Sequence, residues 1–242
     1  MVREAPTCVH CGSSVRLREV TAAVGREVLG TTVAARDWPG RKELTGIGFS
    51  DPDVYAEHLN RVTSYQNTWF HQEPRVDVTD LASFGGRTYD FAVCSDVLEH
   101  IPAPVDRAFD NLFRILNVGG TLVLNVPMRD GTTLEHYPEL TDFVTVEEAD
   151  GWVLAGTRPD GTSYRARDVV FHGGPGTTAE MRLYGREDVR GHLHRAGFVD
   201  VVEHREEEER SGIVHDGTPE FLDSPGGRVH GMHAGVWTAR RP

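Results

Sequence analysis

The chain has 242 residues, 38% of them apolar and 26% charged, with a formal charge of −12; this is enough for a real core and too ordinary a composition for wholesale disorder. The acidic balance disfavours extended nucleic-acid or anionic-membrane surfaces, which need net basic patches. No apolar run reaches the roughly 18 residues of a membrane-spanning helix, and residues 1–6 lack the apolar core of a signal peptide, so the expectation is a cytoplasmic protein acting on a small molecule, its oligomeric state left open.

Residues 1–26 read as a polar N-terminal appendage with a short helix over 15–24. It carries Cys8-Val9-His10-Cys11, half of a zinc-knuckle pattern. A structural zinc needs four ligands, usually from two such pairs, and no second pair exists. Cys8 and Cys11 are therefore candidate ligands only if distant histidines complete the set, and the metal content is left open. The third cysteine, Cys94, is isolated, so no disulfide framework is expected.

From residue 27 to 242 the pattern is that of one α/β domain with an insertion at about 128–183. Residues 27–33 are a possible strand, and 43–49 read as a buried one. Ser50-Asp51-Pro52 can cap and start a helix carrying Val54, Tyr55, Leu59 and Val62 at a helical period. Short and longer strands follow at 75–79 and 89–95. A helix spans 104–116, a Gly119-Gly120 turn follows, and 121–127 form a nearly continuous apolar strand. Within the insertion, Arg158-Pro159-Asp160-Gly161 is a hairpin turn between strands at 152–155 and 163–166. A helix over 186–196, stopped by Gly197, precedes strands at 198–203 and 234–239. The charge run Glu206 to Arg210 reads as a solvated segment. Apolar strands alternating with helices indicate a doubly wound, mostly parallel sheet, which binds ligands beyond the C-terminal ends of its strands.

Residues 89–126, YDFAVCSDVLEHIPAPVDRAFDNLFRILNVGGTLVLNV, resemble class I S-adenosylmethionine-dependent methyltransferases: an FD-type strand ending in Ser95-Asp96, then Leu98-Glu99-His100, a helix and a Gly-Gly turn. Arg195-Ala196-Gly197-Phe198 resembles that family's late turn. Thr45-Gly46-Ile47-Gly48-Phe49 resembles its second strand, which usually ends in an acid that binds the ribose. Gly48 stands in the acid's place, with Asp51 three residues on. Asp77, next to Val78, matches the acid that contacts adenine after the third strand. The acid-x-Gly-x-Gly turn of the first strand has only Val28-Leu29-Gly30-Thr31-Thr32 as a counterpart, so that motif is degenerate. The resemblance thus implies S-adenosylmethionine as cofactor, held by Gly46, Gly48, Asp51, Asp77, Val78, Ser95 and Asp96.

Further blocks are similar to a bacterial methyltransferase-like group found with sugar and natural-product pathways. They are residues 65–74, Glu135-His136-Tyr137-Pro138, and Phe171-His172-Gly173-Gly174-Pro175-Gly176 with Glu180-Met181-Arg182. Methyl transfer to oxygen needs a base with a near-neutral pKa, which suits histidine; His136, His172 and His100 are the candidates. Tyr65, Trp69, His71, Glu180 and Arg182 are candidate acceptor contacts, with core as the favoured reading of Tyr65 and Trp69. His71 with Glu73, and His230 with His233, raise a metal alternative, although His230-Gly231-Met232-His233 has no helical i,i+4 spacing. The expected function is O-methylation of a sugar or secondary metabolite. Two other classes stay open: a cofactor-independent cyclisation, elimination or isomerisation on the same fold, and a non-enzymatic ligand-binding subunit.

Overall fold

The computed structural model describes residues 7–208, 211–213, 220–224 and 227–242. The expectations for residues 1–6, for Glu209 and Arg210, and for the side chain of His230 lie outside the described residues.

Strands β1 (Thr45–Phe49), β2 (Ser64–Thr68), β3 (Tyr89–Ser95), β4 (Leu116–Arg129), β12 (Val199–His204) and β14 (Gly227–Arg240) form the central sheet, in the order β12-β14-β4-β3-β1-β2. The pairs β2/β1, β1/β3 and β3/β4 are parallel; β14 is antiparallel to both its neighbours. Successive side chains of a strand point to opposite faces, so a strand covered on both sides reads as a continuous apolar run. In β4, Leu122 and Leu124 join Ile47, Cys94, Phe109 and Leu193 on one face, while Val123 joins Phe91, Val93 and Val236 on the other. Helices α3 (Asp106–Arg114) and α4 (Arg186–Ala196) cover the first face; α1 (Val15–Glu27) and α2 (Asp53–Val62) cover the second.

Four expectations change. The helix placed in an appendage is part of the core: Val20, Ala23 and Val24 of α1 are fully buried against the sheet, each valine worth about 1.5–3 kcal/mol. Residues 28–33 form a loop after that helix and not a strand. Among the described residues, 75–79 have just the parallel bridge of Arg75 to Trp69 and then turn, with Asp77 accepting from the backbone and hydroxyl of Thr79 at 2.8 and 2.7 Å. Finally, Thr45–Phe49 is the first strand of the sheet, not the second. It lies between β2 and β3, so Gly46 and Gly48 occupy the place of the first-strand glycines, and residues 28–32 are not that turn. A Cβ at Gly46 would collide with the Phe91 ring, and one at Gly48 with the Tyr65 hydroxyl and the Asp51 carboxylate. The glycines admit these neighbours across the strand.

The true second strand, β2, ends at Thr68 and is followed by Trp69-Phe70-His71, with no acid before Glu73. Gly48 therefore does not stand for the missing ribose acid.

The insertion begins after β4. Strands β6 (Asp142–Glu148), β7 (Gly151–Thr157) and β8 (Ser163–Ala166) make a separate antiparallel sheet, β7 and β8 forming the hairpin expected from Asp160-Gly161. Its small core is Tyr137, Leu140, Leu154, Ala179 and Met181. The short strands β5 (Leu134–Glu135) and β11 (Arg182–Gly185) pair with each other and β11 joins β4, β9 (Phe171–His172) and β10 (Thr178–Ala179) pair with each other, and β13 (Glu220–Ser224) pairs with β14.

Candidate active site

From β1 the chain moves outward to β2; from β3 it moves the opposite way to β4. The crevice between the C-terminal ends of β1 and β3 is therefore the topological switch point, where doubly wound sheets bind ligands. Both exits are sharp. Ser50 and Asp96, the residues just beyond the two strands, hold left-handed backbone at φ of 61° and 53°. Arg16 of α1 reaches this place: its Nη1 lies 3.0 Å from Asp96 Oδ2 and donates to Ser95 Oγ at 3.0 Å.

Asp51 has turned inward. Its carboxylate accepts from the Tyr55 hydroxyl at 2.6 Å and the Tyr65 hydroxyl at 2.5 Å, and its main chain is clasped by Asn67. It holds the β1 exit in shape and does not offer an oxygen to a ribose; it does not cap α2, and Tyr65 is likewise a core residue and not an acceptor contact. Burial raises the Asp51 carboxyl from 3.8 to about 7, against the opposing pull of the two hydroxyls and Arg16. The sign follows for stability. Between pH 4 and 7 the unfolded chain loses this proton while the folded chain keeps it, so the unfolding free energy falls as pH rises, by up to about 4 kcal/mol, and levels off above 7. In Asp51→Asn that fall disappears. Urea unfolding at successive pH values measures it, and an unchanged pH slope in the variant would refute the assignment.

Next to the switch point, five side chains from four segments converge. Glu99 and His100 sit in a 3-10 turn, Leu98–His100; His136 follows β5, His172 ends β9, and Glu180 follows β10. The backbone draws them together: Met181 N donates to Glu99 O at 2.7 Å, His136 N to Met181 O at 2.8 Å, and Glu180 N to Val170 O at 2.8 Å. His172 is ringed by carboxylates, with Nε2 3.5 Å from Asp96 Oδ2 and Nδ1 3.3 Å from Glu99 Oε1 and 4.0 Å from Glu180 Oε2. His100 Nε2 faces Glu99 Oε1 at 3.7 Å, and its Nδ1 lies 2.8 Å from the Ala179 carbonyl oxygen. His136 is buried. Among the described residues neither of its ring nitrogens has a hydrogen-bond partner, and Nε2 stands 3.7 Å from Glu180 Oε1. Ionisable side chains thus follow one another from Arg16 through Asp96 and His172 to Glu180 and His136.

The structure brings together Ser95, Asp96, His100, His136, His172 and Glu180 from the sequence candidates. It adds Arg16, whose position in a polar helix gave no signal, and Glu99, whose signal was its place in Leu-Glu-His. Arg182 is turned away. Its Nη1 donates to the carbonyls of Leu98 and Ile101 at 2.9 and 2.6 Å and its Nε pairs with Glu135 at 2.7 Å, so it clamps the turn that presents Glu99 and His100. Trp69 is half-buried and His71 exposed at the β2 exit, and Val78 is buried beside Asp77. Cys11 is exposed, with Sγ 3.0 Å from Ser13 Oγ, and this serine holds its thiol below the usual range. Among the described residues the one group of three possible metal ligands is Glu99, His100 and His172, away from the two N-terminal cysteines.

A family model described as a methyltransferase domain matches residues 33–204. No curated protein matches the chain. Among solved structures, the CurJ carbon methyltransferase is similar at 17% identity and a TM-score of 0.51, over 93% of this chain and 55% of that one. Streptomyces venezuelae DesVI (12% identity, TM-score 0.46, 94% and 92% of the two chains) is also similar. So is CalS10 bound to S-adenosylmethionine, an amino pentose methyltransferase from Micromonospora echinaspora (14%, 0.45, 96% and 93%). With that match over most of its length and this sheet order, the chain belongs to the methyltransferase domain family and has the Rossmann-like fold of the class I, S-adenosylmethionine-dependent enzymes that its sequence resembles.

Proposed function

We propose that this chain transfers the methyl group of S-adenosylmethionine to a hydroxyl oxygen of a small polar acceptor, a sugar or secondary metabolite, with His136 as general base. One observation carries the choice of base: a buried imidazole whose ring nitrogens have no hydrogen-bond partner among the described residues, held beside a carboxylate in the wall next to the switch point. An acceptor hydroxyl is the partner it lacks.

The donor set at the switch point fits the cofactor. Arg16 offers a cation and Asp96 an anion, as the α-carboxylate and α-ammonium of its methionine part require, and Ser95 adds a hydroxyl. Asp77, with Val78 beside it, is the group for the adenine amine. Trp69 and His71 flank the same side at the exit of β2. The bound cofactor supplies a methyl carbon on a sulfonium, open to in-line displacement. The chain's own residues do the rest. They orient the acceptor, His136 takes the hydroxyl proton as the oxygen attacks, and Glu180 steadies the resulting imidazolium.

Calorimetric titration with S-adenosylmethionine and S-adenosylhomocysteine tests the reading. The expected result is micromolar binding that weakens about 10- to 100-fold in Arg16→Ala, the size of one charge-assisted hydrogen bond, and weakens also in Asp77→Ala. No binding at millimolar cofactor would overturn it and favour cofactor-free chemistry.

A further inference from the structure

The proposed transfer leaves two imidazoles and a buried carboxylate of the same cluster without a task. We infer that Glu99 Oε1, His100 Nε2 and His172 Nδ1 bind a divalent transition-metal ion, which takes up the acceptor's oxygen. The ion's role rests on the methyl-transfer reading; its binding does not.

Distances come first. One ligand atom from each of the three residues lies within 4.8 Å of the others. Donors about 2.1 Å from a common ion stand roughly 3.0–3.4 Å apart. His172 Nδ1 is 3.3 Å and His100 Nε2 3.7 Å from the same Glu99 oxygen. A small side-chain adjustment completes the set.

The hydrogen bonding of the rings points the same way. A carbonyl oxygen only accepts, so His100 Nδ1, 2.8 Å from Ala179 O, carries the hydrogen. In the neutral ring Nε2 is then the lone-pair nitrogen, and it is aimed at Glu99. His172 turns its outer nitrogen toward Asp96 and its inner one toward Glu99, so a hydrogen on the outer nitrogen leaves the inner lone pair for the same ion. Metal-binding imidazoles regularly place their far N–H on a carbonyl or a carboxylate, which fixes the ring and its tautomer.

The frame is rigid on both sides of Glu99: Arg182 ties Leu98 and Ile101, and Met181 N holds the Glu99 carbonyl.

Two imidazoles and one carboxylate select a zinc-class ion over magnesium, which prefers all-oxygen sites. Three protein ligands leave coordination positions open, as catalytic sites do. A hydroxyl on such a position becomes more acidic, and its proton passes to His136.

The test uses the full chain, stripped by dialysis against a chelator and titrated with Zn²⁺ and with Co²⁺, whose visible absorption reports nitrogen–oxygen coordination. One ion per chain is expected. His100→Ala and His172→Ala should each weaken it by more than about 100-fold, beyond the loss of an outer-shell partner. His194→Ala, on an exposed position of α4, and the double variant Cys8→Ser/Cys11→Ser should bind as the wild type does. Far-ultraviolet circular dichroism on the same samples reports that each variant is folded, and S-adenosylhomocysteine affinity is measured beside it; His172→Gln is the milder substitution if alanine fails the folding check. Absence of binding in the wild type overturns the inference, as does binding unchanged in folded His100 and His172 variants or lost with the cysteines. Cofactor affinity that persists in any of these cases leaves the methyl-transfer reading standing.

Discussion

His136→Ala is expected to lower kcat by about 10²- to 10⁴-fold, the usual worth of a positioned general base, while leaving S-adenosylhomocysteine affinity as it was. The split follows from placement: His136 lies after β5 in the insertion, one carboxylate away from His172, whereas the proposed cofactor contacts Arg16, Ser95 and Asp96 belong to α1 and the end of β3. His136→Gln keeps a polar side chain of similar reach that does not act as a base, so it should be nearly as slow. Rates measured with saturating acceptor and cofactor decide the matter. A kcat within a few-fold of wild type in both variants would remove His136 from the chemistry.

Arg182→Met should lower the unfolding free energy by roughly 2–4 kcal/mol and Tm by about 5–15 °C. The guanidinium is almost completely buried, and its loss orphans the carbonyls of Leu98 and Ile101 and releases Glu135. Tyr184, whose hydroxyl also reaches Leu98 O at 3.2 Å, recovers part of one bond. Because those carbonyls bracket Glu99 and His100, the variant should also bind Zn²⁺ more weakly than its lost stability alone implies. Arg182→Lys is not conservative here, since one ammonium does not reach two carbonyls and a carboxylate at once. Calorimetric melting that matches wild type would show that the turn holds without the clamp.

Elements with strong local signals were legible in the sequence. The strand over 89–95 and the helix over 186–196 match β3 and α4, the latter because Gly197 takes a left-handed φ of 107° that stops it. The Asp160-Gly161 hairpin has the same kind of local cause. β2 was not legible. Its Ser-Tyr-Gln-Asn-Thr has no apolar run, because it lies at the end of the sheet and uses Asn67 to hold Asp51. Missing it moved Thr45–Phe49 one place along in the family pattern and put Gly48 where the ribose acid belongs. The site was half legible. The histidines stood out by residue type, but the Arg16–Ser95 contact joins positions 79 apart and leaves no trace in local pattern. The convergence of Glu99 with His172 depends on how the insertion folds back, which periodicity does not encode.

The strand β14 comes last in the order of the sheet's strands yet lies in its interior, paired with β4 from His233–Met128 to Arg240–Thr121 and with β12 on its other side. A chain emerging from the ribosome therefore displays the apolar β4 as an open edge until β14 arrives to close it. Until then the nascent protein carries the exposed template through which unfinished sheets find one another. Slow translation between β12 and β14, or truncation within that stretch, is where this enzyme is most exposed to aggregation.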